Sequence, residues 1–132
     1  MQTVSVQTAV PYPVHIGAGL LDRCGEHIAA ITKSRRCAVV TDSNVGPLYG
    51  KRAQDSLQKA DFTAMTYGFP AGERSKNLAS YGAILEFFAR NRLTRSDLVV
   101  ALGGGVVGDM AGFAAATYQR GVDYVQIPTT FL

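Results

Sequence analysis

Hydrophobic and polar positions alternate at the start of the chain and then settle into a repeated strand–helix rhythm. Residues 3–9 alternate with Val4 and Val6 on one face, and Tyr12, Val14 and Ile16 alternate again beyond the Val10-Pro11 break. This pattern predicts a hairpin or two edge strands, ended by Gly17 and Gly19. Leu20, Cys24, His27, Ile28 and Ile31 recur at three- and four-residue intervals and predict a helix over residues 20–31. Residues 35–41 hold the apolar run Cys37-Ala38-Val39-Val40, a short buried strand followed by the polar turn Asp42-Ser43-Asn44.

The rhythm continues. A helix is predicted over residues 45–60, with Leu48, Ala53, Leu57 and Ala60 facing inward, then a strand over 62–67 and a loop over 68–72. A helix over 73–90 places Leu78, Tyr81, Leu85 and Phe88 on one face. The strand over 97–102 is continuously apolar from Leu98 to Leu102, as strands covered on both sides are. A glycine turn, a helix over 106–119 and a last strand over 124–127 complete the pattern. Strands alternating with helices after an initial hairpin predict an α/β domain, a mostly parallel sheet with helices on both faces.

Composition narrows the class. The 132 residues are 47% apolar and 17% charged, a globular balance suited to one domain with its own core. Lys and Arg outnumber Asp and Glu by 13 to 10, an excess that suits an anionic small molecule without demanding one. The one dense basic patch, Lys33, Arg35 and Arg36, lacks interleaved aromatics and reads as a solvated turn, so no nucleic-acid partner is expected. Cys24 and Cys37 form no CxxC pair and read as buried thiols. Neither His15 nor His27 has metal-ligand spacing, and no metal site is expected within this stretch. The first residues lack the basic and long apolar regions of a signal peptide, and no stretch has the length of a membrane span. A cytoplasmic protein without a membrane partner is the expectation. The sequence stops directly after a strand, at the edge of its candidate site, and the natural protein is expected to continue.

The candidate chemistry lies in Gly103-Gly104-Gly105-Val106-Val107-Gly108-Asp109. Three glycines offer conformational freedom for a tight turn, and missing Cβ atoms let a ligand approach the backbone. The free N–H groups and dipole of the following helix favour a diphosphate. Gly108 and Gly112 share a helical face that Ala115 and Ala116 extend, so the helix is expected to lie close to the sheet. Gly103, Gly105 and Gly108 satisfy GxGxxG in the required strand–turn–helix context. Asp123, twenty residues on from Gly103, would be the ribose-binding carboxylate of that fingerprint, but it precedes its strand and lies at the wrong end. No Lys-Ser/Thr pair follows the glycines, which argues against a P-loop.

Other positions carry paired readings. Asp42 and Asn44 can reach a ligand at the strand's C-terminal end or cap the next helix. Glu73 and Lys76 are neighbours on a first helical turn and can form a surface ion pair. Asp109 suits an early helical turn, but beside a diphosphate it needs a hydrogen-bond donor. Arg120 suits a helix C-terminus and, equally, a phosphate.

The stretch GGGVVGDMAGFAAATYQRGVDYVQIPTT, from Gly103 to Thr130, closely resembles the 3-dehydroquinate synthase family. The segments Thr41–Asn44 and Gly72–Lys76 are similar too, so the resemblance spans nearly the whole chain. Related sugar-phosphate cyclases share much of the pattern. The resemblance implies a Rossmann-like domain over residues 1–132, the NAD-binding part of a two-domain, homodimeric, cytoplasmic shikimate-pathway enzyme. That family converts 3-deoxy-D-arabino-heptulosonate 7-phosphate to 3-dehydroquinate and phosphate, using NAD and a divalent metal, zinc or cobalt. The family's metal ligands and substrate lysines lie beyond Leu132, so this stretch alone is expected to be inactive. By the same resemblance Asp42, Asn44, Ala71, Gly72, Glu73, Arg74, Ser75 and Lys76 contact NAD. So do Gly104, Gly105, Val106, Val107, Gly108 and Asp109 of the glycine loop, and Thr129 and Thr130. Arg120 would bind the substrate phosphate, across a dimer interface. The alternatives are another sugar-phosphate cyclase or a non-catalytic dinucleotide-binding module.

Overall fold

A computed structural model describes residues 1–131. Two strands, β1 (Gln2–Val6) and β2 (Tyr12–Ile16), pair antiparallel as a hairpin that forms its own two-stranded sheet. The main sheet has four parallel strands in the order β4-β3-β5-β6: β3 (Arg36–Asp42), β4 (Thr63–Phe69), β5 (Leu98–Gly103) and β6 (Asp123–Pro128). The helices are α1 (Cys24–Ala29), α2 (Lys51–Lys59), α3 (Leu78–Arg90) and α4 (Gly105–Thr117). The expected hairpin and Rossmann-like α/β sheet are both present.

Alternation along the central strands builds two cores. Ala38 and Val40 of β3 and Val99 and Ala101 of β5 face α3 and α4, where Ile84, Phe88, Val107 and Ala111 meet them. Cys37, Val39, Val100 and Leu102 point the other way, onto Cys24 and Ile28 of α1 and Ala53 and Leu57 of α2. With both faces covered, β5 is buried at every position, which explains its unbroken apolar run.

The helices are shorter than their periodicity predicts. The 20–31 helix splits into a 3-10 turn (Leu20–Arg23) and α1, leaving Ile31 exposed. Before α2 the chain makes a wide π-turn (Gly46–Gly50), so Leu48 faces solvent at 67% exposure. Residues 73–75 form a separate 3-10 turn, and α3 starts only after Asn77, whose side chain accepts the Ser80 N–H as an N-cap at 2.8 Å. Leu78 consequently points outward. Gly68 and Phe69 extend β4 rather than forming a loop, because Phe69 is buried in the α3–α4 core.

At one point the two helices of the second core nearly touch. A Cβ on Gly25 would overlap the backbone carbonyl of Ser56. The Gly25 N–H donates to the buried Ser56 Oγ at 2.9 Å, fixing α1 on α2.

Candidate functional site

The chain leaves β3 toward β4 on one side, then returns across β3 to form β5 on the other. A crevice opens at such a reversal, beyond the C-terminal ends of the strands, and ligands bind there. Four loops meet at this rim, one after each parallel strand.

Specific contacts tie them together. The Ser43 N–H donates to the Phe69 carbonyl at 2.9 Å, and Ser43 Oγ accepts the Ala71 N–H at 2.9 Å, joining the β3 and β4 loops. Ser75 Oγ donates to the Pro70 carbonyl and is buried, which closes the Ala71–Lys76 segment on itself. Gly72 sits at φ 111°, a conformation that only glycine adopts without strain. Lys76 Nζ then reaches Asp109 Oδ2 at 2.7 Å, linking the β4 loop to α4. Last, the Thr129 N–H donates to the Gly103 carbonyl at 3.0 Å, which holds Thr129 and Thr130, just beyond β6, against the glycine loop.

The glycine loop uses its residues differently from expectation. None of Gly103, Gly104 and Gly105 has a positive φ, so conformational freedom is not why they are glycine. Space is. A Cβ on Gly103 would come within 2.5 Å of Val107 Cγ2, and one on Gly104 within 3.2 Å of the Thr130 side chain. A Cβ on Gly105 would meet nothing within 4 Å, so the helix start is open on that side. No side chain caps α4. Its first-turn N–H groups, at Gly105, Val106 and Val107, thus stand where a helix dipole also favours negative charge. Val107 itself is buried in the core.

The close approach of α4 to the sheet is confirmed. A Cβ on Gly108 would overlap the Gln126 side chain, and one on Gly112 would touch Tyr124 at 3.4 Å. Ala115 extends this strip and is buried, but Ala116 is exposed and does not.

Asp42 ends β3, and its Oδ1 accepts the N–H groups of Asn44 at 2.9 Å and Val45 at 2.8 Å. The turn reading therefore holds, whereas the helical segment that follows has Val45 at its start and no side-chain cap, and Oδ2 is left available. A hollow of about 620 Å³ lies beside it, lined by Thr41, Ser43, Gly46, Gln54 and Gly68. Thr41 Oγ1 and Thr129 Oγ1 are buried without a hydrogen-bond partner among the described residues, and both border the rim. Thr41 had no signal as a site residue in sequence: a threonine in an apolar strand reads as filler.

Three expectations need correction. Glu73 and Lys76 do not pair with each other, because they flank a 3-10 turn outside α3 and Lys76 is drawn to Asp109. Asp109 is the fifth residue of α4, past its first turn. Its donor is the Lys76 ammonium, whose pKa the carboxylate raises, first by the hydrogen bond and then by charge. Arg120 does not close α4, which ends at Thr117. It lies in a 3-10 turn at φ 62°, and the 13-residue helix separates it from the glycine loop by about 20 Å. Arg74 and Asn44 are exposed on the rim.

Asp123 opens β6, at the end remote from the rim, as expected. Of the basic patch, Arg36 binds Asp97 and the carbonyls of Asn91 and Arg92, while Arg35 lies 5.1 Å over Phe62. Among the described residues no three His, Cys, Asp or Glu side chains gather to hold a metal ion, and no helix is long and apolar enough to cross a membrane.

Sheet order, uncapped helix and close-packed glycines define the class: a Rossmann-like α/β domain of the nucleotide-binding type. Residues 66–132, just over half of the chain, match the family model "3-dehydroquinate synthase N-terminal". The chain is 46% identical over 120 residues, 91% of its length, to 3-dehydroquinate synthase of Streptococcus suis (strain 05ZYH33). It spans 34% of that protein, about a third. Its fold superposes on 2-deoxy-scyllo-inosose synthase with a TM-score of 0.90 at 25% identity, covering 99% of this chain and 37% of that one. For 2-epi-5-epi-valiolone synthase of Streptomyces hygroscopicus subsp. jinggangensis 5008, solved with NAD+ and Zn2+ bound, the TM-score is 0.79 at 31% identity, covering 96% and 35%. The chain belongs to the 3-dehydroquinate synthase family, in its N-terminal domain.

Proposed function

We propose that this chain is the NAD-holding part of a 3-dehydroquinate synthase that converts 3-deoxy-D-arabino-heptulosonate 7-phosphate to 3-dehydroquinate and phosphate. One observation carries the reading: an uncapped helix start, open beside Gly105, at a rim where all four strand loops are fastened together. Identity of 46% to a 3-dehydroquinate synthase, against 25% and 31% to the other cyclases, favours this reaction over theirs.

In this reading the N–H groups of Gly105, Val106 and Val107 receive the diphosphate, and Gly104 and Gly108 hold the helix close enough for it to fit. Asp42 and Asn44 address the adenosine side. The segment Ala71, Gly72, Glu73, Arg74, Ser75 and Lys76 closes over the ribose and nicotinamide, with Asp109 and Lys76 as its polar pair. Thr129 and Thr130 line the far wall, and the orphaned Thr129 and Thr41 hydroxyls gain partners. A bound nicotinamide would supply reversible hydride acceptance at a ring hydroxyl, which acidifies the neighbouring proton for phosphate elimination. In this reading the zinc or cobalt ion and the proton-handling groups lie in the part of the family's proteins that the matched stretch does not cover. Arg120, remote from the rim, meets substrate phosphate only across a homodimer interface in a cytoplasmic enzyme. Alternative occupants of the same frame are a related cyclase reaction or cofactor binding without catalysis.

Isothermal titration of the folded chain with NAD tests the cofactor. Saturable binding is expected, and none in a cooperatively folding sample overturns it. Phosphate release from 3-deoxy-D-arabino-heptulosonate 7-phosphate by the chain joined to a family C-terminal domain tests the reaction. Release only from another sugar phosphate would reassign it.

A further inference from the structure

Residues 71–76 hold only one short 3-10 turn, yet side chains from two other loops fasten them at both ends. At the far end Lys76 Nζ meets Asp109 Oδ2 at 2.7 Å. At the near end the fastening is Ser43. β3 and β4 run in register as far as Asp42 and Phe69. The Ser43 N–H adds one more bond, to the Phe69 carbonyl at 2.9 Å. Pro70 has no N–H to offer. The next donor along the chain is the Ala71 N–H, and Ser43 Oγ accepts it at 2.9 Å.

Ser43 itself has little freedom. Asp42 Oδ1 accepts the N–H groups of Asn44 at 2.9 Å and Val45 at 2.8 Å, a side-chain turn that encloses Ser43. The bond to Phe69 and this turn together fix the backbone from which the hydroxyl projects. Just beyond Ala71 the held segment has a permissive joint, Gly72 at φ 111°. A rotation there displaces every residue as far as Lys76. Ser43 holds the residue immediately before that joint.

We propose that Ser43 is a positioning residue: by holding Ala71 it sets residues 71–76, and Lys76 at their end, over the nicotinamide half of the cofactor. It does so without touching NAD. This rests on the NAD reading above, in which its neighbours Asp42 and Asn44 address the adenosine half. One short turn after β3 then serves both halves of the cofactor, the first by contact and the second through Ser43 and the opposite loop.

Isothermal titration of the chain and of Ser43→Ala, each with NAD and with ADP, tests this. ADP carries the adenosine and diphosphate but lacks the nicotinamide half. Ser43 is exposed, so its loss leaves the Ala71 N–H to water and the variant should fold with a nearly unchanged melting temperature. NAD is expected to bind Ser43→Ala about fivefold more weakly, the loss of one neutral hydrogen bond, and ADP within about twofold of the parent. Ser43→Thr keeps a hydroxyl and should restore NAD binding. In a Lys76→Ala background the Ser43→Ala change should cost less than about twofold, because the side chain it places is gone. Hydrogen exchange supplies a second measurement: the Ala71 amide should exchange about tenfold faster in Ser43→Ala while β5 amides keep their rates. Unaltered NAD binding by Ser43→Ala overturns the proposal and leaves the cofactor reading standing. Equal weakening of NAD and ADP, or effects fully additive with Lys76→Ala, also overturns it. A parent chain that binds neither nucleotide overturns the cofactor reading and this proposal together.

Discussion

Lys76 Nζ lies 2.7 Å from Asp109 Oδ2, so residues 33 positions apart in sequence close the rim between the β4 loop and α4. In the NAD site proposed above, the pair would resolve an electrostatic problem. A carboxylate one turn from the diphosphate would repel it unless a cation accompanied it, and Lys76 would be that cation. Both side chains are about half exposed, so the pair should add little to stability. Lys76→Ala is therefore expected to leave the melting temperature nearly unchanged while weakening NAD about tenfold or more, the loss of a charged hydrogen bond. Equal affinity in the two proteins would remove Lys76 from the site. The lysine's raised pKa fixes the sign of the pH effect. Its contribution is complete below the ordinary 10.5 and disappears as pH rises through the higher folded value, so NAD affinity should hold through neutrality and fall only in strong alkali.

Two of the three loop glycines should separate by substitution. Gly105→Ala places a methyl in open space on a helical residue, so stability should stay level or rise by up to about 1 kcal/mol. In the proposed site the same methyl would stand where the diphosphate approaches, and NAD affinity should drop. Gly103→Ala forces a methyl against Val107, 2.7 Å from its Cβ, and should cost about 1–3 kcal/mol in denaturant unfolding. If Gly105→Ala bound NAD like the parent, the open side of α4 would not be the diphosphate site.

How much of this was legible beforehand depended on how local the cause was. The glycine loop was readable because strand, turn and uncapped helix start are consecutive in sequence. The apolar run Leu98–Leu102 was readable because burial on both faces leaves no polar position. Helix starts were not, because Leu48 and Leu78 keep helical spacing while a π-turn and the Asn77 cap decide where the helices begin. Phe69 reads as loop in sequence since Gly68 and Pro70 flank it, yet its burial extends β4. The role of the glycines at 103 and 104 was half legible: their lack of Cβ matters, but for Val107 and Thr130 rather than for φ. The Lys76–Asp109 and Ser43–Ala71 ties depend on tertiary placement, and no spacing rule reaches that far.

The α1–α2 crossing should be the least tolerant spot in the fold. Backbone cannot yield as a side chain can, and a Cβ on Gly25 meets the Ser56 carbonyl. Gly25→Ala should cost about 3 kcal/mol or more, the upper end for overpacking. Ser56→Ala removes the partner of the Gly25 N–H and should cost about 1–3 kcal/mol. Urea unfolding of both variants gives the comparison, and a Gly25→Ala protein as stable as the parent would contradict the contact.

The two cysteines should report on folding through alkali. Both are free and buried, Cys37 in β3 and Cys24 in α1. Burial pushes the Cys37 thiol from 9.0 up to about 12, with small additions from Cys24 and Asp97, and burial also raises Cys24. A thiol whose folded pKa is raised stays protonated in the native state while the unfolded chain ionises. Stability is thus unaffected below about pH 9 and declines as pH climbs from 9 toward 12. With its pKa raised by burial, Cys37 stays a thiol at pH 8 rather than the reactive thiolate. A thiol reagent should therefore label neither cysteine in the native protein and both in denaturant. Cys37→Ala should flatten the alkaline fall in melting temperature, measured against the parent from pH 8 to 11. An unchanged slope would show that other groups set the alkaline limit, and rapid native labelling would show that the second core opens far more readily than its packing implies.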